Sequence, residues 1–135
     1  MIAADTSTWV AFLEGAKGPD VELLDRALRE RQVLMPPIVL TELLSDPQLP
    51  SIVAKTLSDV PMIEIEAGFW RRAGALRAKI LSKGRRARLG DALIAQCCAD
   101  RDVPLLTRDR DFRAFADAAG LNIMAGTATQ RLPEE

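Results

Sequence analysis

Five carboxylates stand where an acid needs a reason. Asp5 follows the short apolar run Ile2-Ala3-Ala4, and Asp109 and Asp111 follow Leu105-Leu106-Thr107. Glu42 is the lone charge in Ile38-Val39-Leu40-Thr41-Glu42-Leu43-Leu44, and Asp91 opens the apolar run Ala92-Leu93-Ile94-Ala95. A charge is costly to bury unless it is paired or coordinates a metal. Four such sites, two at strand ends and two in helices, suggest a shared cation, with one or two metals both open.

Two absences narrow the chemistry. The chain has no histidine and no tyrosine. That excludes an imidazole general base, and with it Ser-His and Cys-His nucleophiles and paired-histidine ribonuclease chemistry. His-based zinc sites are excluded too. Carboxylates, Lys/Arg, hydroxyls or a metal must carry any reaction. Cys97 and Cys98 are adjacent in sequence, a poor disulfide pair, and read as core filler in a reduced, cytoplasmic protein.

Each acid also has a plainer structural reading. Asp5 can cap the helix that follows it, and Asp91 can be the N-cap of its own helix. Glu42 can sit on the outer side of an amphipathic helix. Asp109 and Asp111 can solvate a loop beside Arg108, Arg110 and Arg113. The case for a site lies in the combination.

The elements that would position these acids alternate between strand and helix. Strands are predicted at Ile2-Ala3-Ala4, Val33-Leu34-Met35, Met62–Ile65, Val103–Thr107 and Leu121–Met124. Thr6, Ser7 and Thr8 are expected to cap a helix through Leu13. A second helix presents Val21, Leu24, Ala27 and Leu28 on one face, with Asp20 near its start. Pro37 suits the first turn of a third helix, and a fourth runs from Ser51 to about Ser58. Phe69, Ala73, Leu76 and Ile80 recur at helical spacing between Glu66 and Ser82. The helix after Asp91 is apolar on most faces and should be central. A last helix ends at Gly120. This alternation predicts a parallel sheet covered on both faces. In such sheets ligands bind beyond the C-terminal strand ends, where Asp5 and Asp109 stand. The 135 residues fit one domain, taken as 1–125 with a polar tail at 126–135. No basic n-region precedes an apolar run, and no stretch approaches a membrane span.

The net charge of −1 gives no overall pull toward nucleic acid, so attraction must come from local clusters. Lys83, Arg85, Arg86 and Arg88 form one such cluster just before Asp91. It reads either as a phosphate grip with salt-dependent affinity or as a solvated loop. Arg108, Arg110 and Arg113 either extend the grip or neutralise Asp109 and Asp111. Aromatics are 4% of the chain, so base-stacking platforms are few, and these rings are expected in the core or at an interface.

Four segments taken together resemble a known family. Ile2-Ala3-Ala4-Asp5-Thr6-Ser7, Thr41-Glu42-Leu43-Leu44, Gly90-Asp91-Ala92-Leu93-Ile94-Ala95 and Leu106-Thr107-Arg108-Asp109-Arg110-Asp111-Phe112 are similar in order and spacing to the PIN domain, and more narrowly to VapC toxins. The resemblance covers nearly the whole chain. It implies a three-layer α/β/α sandwich with a central, mostly parallel sheet. It also implies an endoribonuclease that uses Mg²⁺ or Mn²⁺ held by acids at Asp5, Glu42, Asp91 and Asp109. Asp111 is a fifth candidate, since either acid of the last segment can face the metal. Ser7 and Thr107 match small hydroxyl positions that place a water or phosphate. A cognate antitoxin and a homodimer are implied as well. Two other readings stay open. An aspartate-nucleophile phosphatase also begins with a strand and an Asp, but its second acid would fall at Ser7. A non-catalytic PIN-like binding module would not need all four acids.

Overall fold

Ala3, Ala4, Leu105 and Leu106 are all fully buried. Successive strand residues point to opposite faces. A pair of adjacent buried residues therefore requires cover on both sides of the sheet. The structure, a computed structural model, describes residues 1–124, and the tail assigned to 126–135 lies outside the described residues. Strands β1 (Ala3–Ala4), β2 (Leu105–Leu106) and β3 (Ile123–Met124) form a parallel sheet in the order β1-β2-β3. Seven helices complete the described residues: α1 (Thr6–Leu13), α2 (Pro19–Arg29), α3 (Pro37–Leu44), α4 (Ser51–Ser58), α5 (Phe69–Ser82), α6 (Leu89–Asp100) and α7 (Phe112–Ala119). This is the layered α/β arrangement expected.

Two of the predicted strands, Val33-Leu34-Met35 and Met62–Ile65, are reduced to isolated bridges. Ile2 pairs with Val33, and Met35 with Met62, both in parallel sense. Leu34 N–H donates to Ile2 O at 2.8 Å and Ile63 N–H to Met35 O at 3.0 Å, so the sheet still extends beyond β1. Pro36 and Pro61 flank these segments and lack the donors a longer ladder needs. From β1 the chain thus moves outward on one side to Val33 and Met62. It then returns to β2 on the other side of β1. The direction in which the chain winds across the sheet reverses between β1 and β2, and a crevice opens at such a point beyond the strand ends.

Helix starts follow local chemistry. Asp5, not a hydroxyl of residues 6–8, caps α1: its carboxylate accepts from Thr8 N–H at 3.1 Å. The carboxylate has two acceptor oxygens and already sits at the strand end, so it outcompetes the hydroxyls. Pro19 and Pro37 occupy the first turns of α2 and α3. Helix α5 begins at Phe69, later than the Glu66 expected, because Gly68 turns the backbone there. Helix α7 stops at Gly120 in the left-handed region, φ +70°.

Helix α6 is the central helix. Ala92, Ile94, Ala95, Cys97 and Cys98 are buried on it, and it packs against α3, α5 and α7. Burial pushes the Cys97 thiol up to about 11 and the Cys98 thiol well above its ordinary value, so both stay protonated filler. On α2 the buried face is Asp20, Leu23, Leu24 and Ala27, one step from the face expected. A carboxylate in that face needs a partner, and it has one.

Candidate active site

Asp5 stands just past the C-terminal end of β1, its N–H donating to Leu106 O of β2 at 3.0 Å. It is 3% exposed. Its Oδ1 accepts from Ser7 Oγ at 2.7 Å and from Thr8 N–H; its Oδ2 accepts from Thr107 Oγ1 at 2.6 Å. Ser7 and Thr107 therefore lie beside Asp5, and each donates its hydroxyl proton to it. Burial pushes the Asp5 carboxyl up, these hydrogen bonds pull it down, and the Asp109 charge pushes it further up, leaving it above the ordinary value.

Thr107 joins two of the acids. Its hydroxyl donates to Asp5 and accepts from Asp109 N–H at 3.0 Å. Asp109 in turn accepts from Asp111 N–H at 2.9 Å. The loop after β2 is thus folded onto its own carboxylates. Asp111 turns outward to Arg86, 3.8 Å away.

Asp91 lies in the first turn of α6. It is not the N-cap, which is Arg88. Its Oδ2 is buried and has no hydrogen-bond partner. Burial first, then the charge of Asp109, with smaller pushes from Asp5 and Glu42, raise the Asp91 carboxyl to about 6, while Arg88 pulls it down. Glu42 is exposed, as its plainer reading held, yet it is turned inward. Thr6 Oγ1 donates to its Oε1 at 2.7 Å, and a Cβ on Gly90 would lie 3.6 Å from its Oε2. The structure therefore brings Asp5, Glu42 and Asp109 close enough to Asp91 for their charges to act on it.

The donor set suits a hard divalent ion. All candidate ligands are oxygens, and one buried carboxylate oxygen stands unpartnered among like charges. Among the described residues no three acidic side chains lie close enough to close a metal site unaided. Mg²⁺ does not need that: it commonly keeps several waters beside one or two carboxylates.

The basic cluster is placed beside these acids. Arg88 acts on Asp91, Arg86 reaches Asp111, and Arg85 lies 3.8 Å from Asp117. Arg108 is a correction. It neutralises neither Asp109 nor Asp111; its Nε and Nη2 each donate to Asp20 at 2.8 Å. Asp20 also accepts from Thr8 Oγ1 at 3.0 Å. Burial pushes Asp20 up, but Arg108 and Thr8 hold it below its ordinary value. Nothing in the sequence singles out this pair, whose members are 88 positions apart; only paired variation between positions 20 and 108 would have done so.

The family model described as PIN domain matches residues 2–118. Ribonuclease VapC5 of Mycobacterium tuberculosis is 35% identical over 68 residues, 50% of this chain and 48% of its own. The chain thus matches about half the length of that curated relative. VapBC-5 from Mycobacterium tuberculosis, of the VapBC family of toxin-antitoxin systems, superposes with a TM-score of 0.66 at 26% identity, over 91% of this chain and 96% of that one. VapBC2 from Rickettsia felis, bound to a DNA fragment from their promoter, gives 0.71 at 23% identity over 92% and 98%, a likeness of fold. The crevice acids and a family match across most of the chain lead to one assignment: this chain belongs to the PIN domain family.

Proposed function

We propose that this chain is a Mg²⁺- or Mn²⁺-dependent endoribonuclease, the toxin of a type II toxin–antitoxin pair acting in the cytoplasm. The observation that carries this is the buried, unpartnered Asp91 Oδ2 facing the charges of Asp109, Asp5 and Glu42. Asp5, Asp91 and Asp109 are the residues that would hold the ion, directly or through water; Asp111, the fifth candidate, is turned to Arg86 and would join only through water. When bound, the ion supplies an acidified water and offsets charge developing at phosphorus. Ser7, Thr107 and the Thr8 amide fix the Asp5 carboxylate in one orientation. Glu42, at the exposed rim, is the acid best placed to exchange a proton with solvent.

The same contacts count against an aspartate-nucleophile phosphatase. Ser7 stands where that enzyme's second acid would fall, and its hydroxyl donates to Asp5 instead of supplying a general acid. RNA cleavage with Mg²⁺, and no turnover of a phosphate monoester, is the expected result; monoester turnover without RNA cleavage reverses the assignment.

Lys83, Arg85, Arg86 and Arg88 are proposed to grip the RNA backbone at the rim. The two ion pairs there are long and exposed, so they contribute little and leave the cations usable. Arg88 also acts on Asp91, so Arg85→Ala with Arg86→Ala is the cleaner test. RNA binding should weaken, and the slope of log K against log salt should fall by about 1.4 for a single strand. The rate at saturating RNA should change little. An unchanged slope identifies a merely solvated loop.

The restraint on such an enzyme is proposed to be a protein antitoxin. Trp9, Phe12, Leu28, Ile52 and Val53 line an apolar cavity of about 450 Å³, and Ile52 is 70% exposed. Open apolar surface of this kind marks interaction sites. Expressed alone, the protein should arrest growth; co-expression with the product of a small neighbouring gene should relieve the arrest and give a complex that co-purifies. Harmless solo expression with no co-purifying partner removes the toxin assignment. A homodimer is proposed too, and the exposed Trp70 and Leu89 side chains are available for it. Among the described residues no helix is long and apolar enough to cross a membrane.

A further inference from the structure

Arg108 stands between Thr107, which is tied to Asp5, and Asp109, a candidate ligand. Its guanidinium takes a two-pronged grip on Asp20, with a further contact to Lys17 O at 3.4 Å. Asp20 is 5% exposed and is itself held by the Thr8 hydroxyl. Thr8 N–H in turn binds Asp5. The contacts close a ring: Asp5, Thr8, Asp20, Arg108, Thr107 and back to Asp5. Gly18 leaves room for it. A Cβ there would lie 2.7 Å from Asp20 Oδ1 and 3.0 Å from Arg108 Nη2, at φ +151°.

We propose that the Asp20–Arg108 ion pair is a positioning brace, which fixes the loop carrying Asp109 against the start of α1 carrying Asp5. Planar, two-point pairing constrains direction as well as distance, which a single charge contact does not. The loop is then pinned at two successive residues, Thr107 and Arg108, immediately before the acid it presents. Asp20 and Arg108 are positioning residues; neither is assigned to the metal or the substrate. The proposal rests on the ribonuclease reading of this site for its functional consequence, though not for its geometry.

Asp20→Asn tests it in the full chain. Asn keeps the shape and an acceptor for Thr8 but removes the charge opposite Arg108. In metal-free protein, amide hydrogen exchange at Asp109 and Asp111 should quicken about 10-fold beyond any change elsewhere. Mn²⁺ affinity, read by paramagnetic resonance, should fall about 10-fold, as for loss of other groups that orient ligands. The turnover number should fall while KM for RNA holds. Arg108→Lys should recover part of each effect lost in Arg108→Gln. Should Asp20→Asn not fold, the Lys and Gln variants give the same readouts. A uniform loss of stability, with exchange at Asp109 and Asp111 and Mn²⁺ affinity unchanged relative to the rest, overturns the brace. If the parent itself binds no Mn²⁺ and leaves RNA intact, the ribonuclease reading fails, and exchange at Asp109 and Asp111 still decides the brace.

Discussion

Asp91→Asn is expected to cut RNA cleavage by more than about 100-fold while raising the metal-free melting temperature by about 2–4 °C. The two effects share one cause. Asp91 presents a buried oxygen without a partner, and its carboxyl is raised to about 6 from 3.8 by burial and then by the Asp109 charge. Fully counted, that shift is about 3 kcal/mol against the folded state at neutral pH. Solvent reaches this half-buried side chain, and screening lowers the figure to about 1–2 kcal/mol. The acid also gains about 0.3–1 kcal/mol from the N-terminal turn of α6, which the amide forgoes. The balance favours Asn in the absence of metal. Because Arg88 is the N-cap, no capping bond is lost with Asp91 to obscure the result.

The sign of the pH dependence follows. The folded state binds the Asp91 proton more tightly than the unfolded chain does. Its contribution to stability is fully present below 3.8 and is lost as pH rises through about 6. Asp20 and Asp100 behave oppositely, with lowered values; their stabilisation is present above 3.8 and lost as pH falls below it. Metal-free parent should therefore be most stable near pH 4–5, on order-of-magnitude linkage. Asp91→Asn should shrink the fall between that range and pH 7, leaving the part that the raised Asp5 carboxyl contributes. Melts across pH, run beside a cleavage assay, check both halves. An active Asp91→Asn protein with an unchanged pH profile would leave Asp91 as an ordinary first-turn acid.

Much of the candidate site is legible in the sequence, because an acid beside or within an apolar run stands out whether or not it is buried. Glu42 and Asp91 interrupt or open apolar helical runs, and Asp5 and Asp109 end apolar strands. Helix starts at Pro19 and Pro37 and the stop at Gly120 were also readable, since those residues fix the backbone directly. Strand length was not, because it depends on which neighbour supplies the hydrogen bonds. The Met62–Ile65 run has the right composition but shares a single bridge with Met35. Asp5 and Asp91 look alike in sequence and differ in the structure: Asp5 accepts three hydrogen bonds, whereas Asp91 Oδ2 has none. Neutralising Asp5 therefore removes bonds that neutralising Asp91 does not. The Asp20–Arg108 pair was invisible for a different reason. Each residue has an adequate local explanation, as a first-turn acid and as a loop cation, and only the fold sets them 2.8 Å apart.

Metal-stripped protein is expected to leave RNA intact, and Mg²⁺ or Mn²⁺ to restore cleavage. A ligand stabilises the state that binds it, by about 2.7 kcal/mol at one hundred times its dissociation constant. For a chain of 135 residues that corresponds to a rise of about 10 °C in melting temperature. The rise should be much smaller in Asp91→Asn, which lacks one candidate ligand and part of the mutual repulsion that the ion relieves. It should also shrink in acid, because the ion and the proton compete for the same carboxylate. Below about 6, where Asp91 takes up its proton, apparent affinity should fall by up to about tenfold per pH unit. Arg85→Ala with Arg86→Ala, whose ion pairs are with Asp117 and Asp111 and not with Asp5, Asp91 or Asp109, should keep most of the rise. Full cleavage after chelation, or an equal metal response in parent and Asp91→Asn, would place the chemistry outside the crevice formed by Asp5, Asp91 and Asp109.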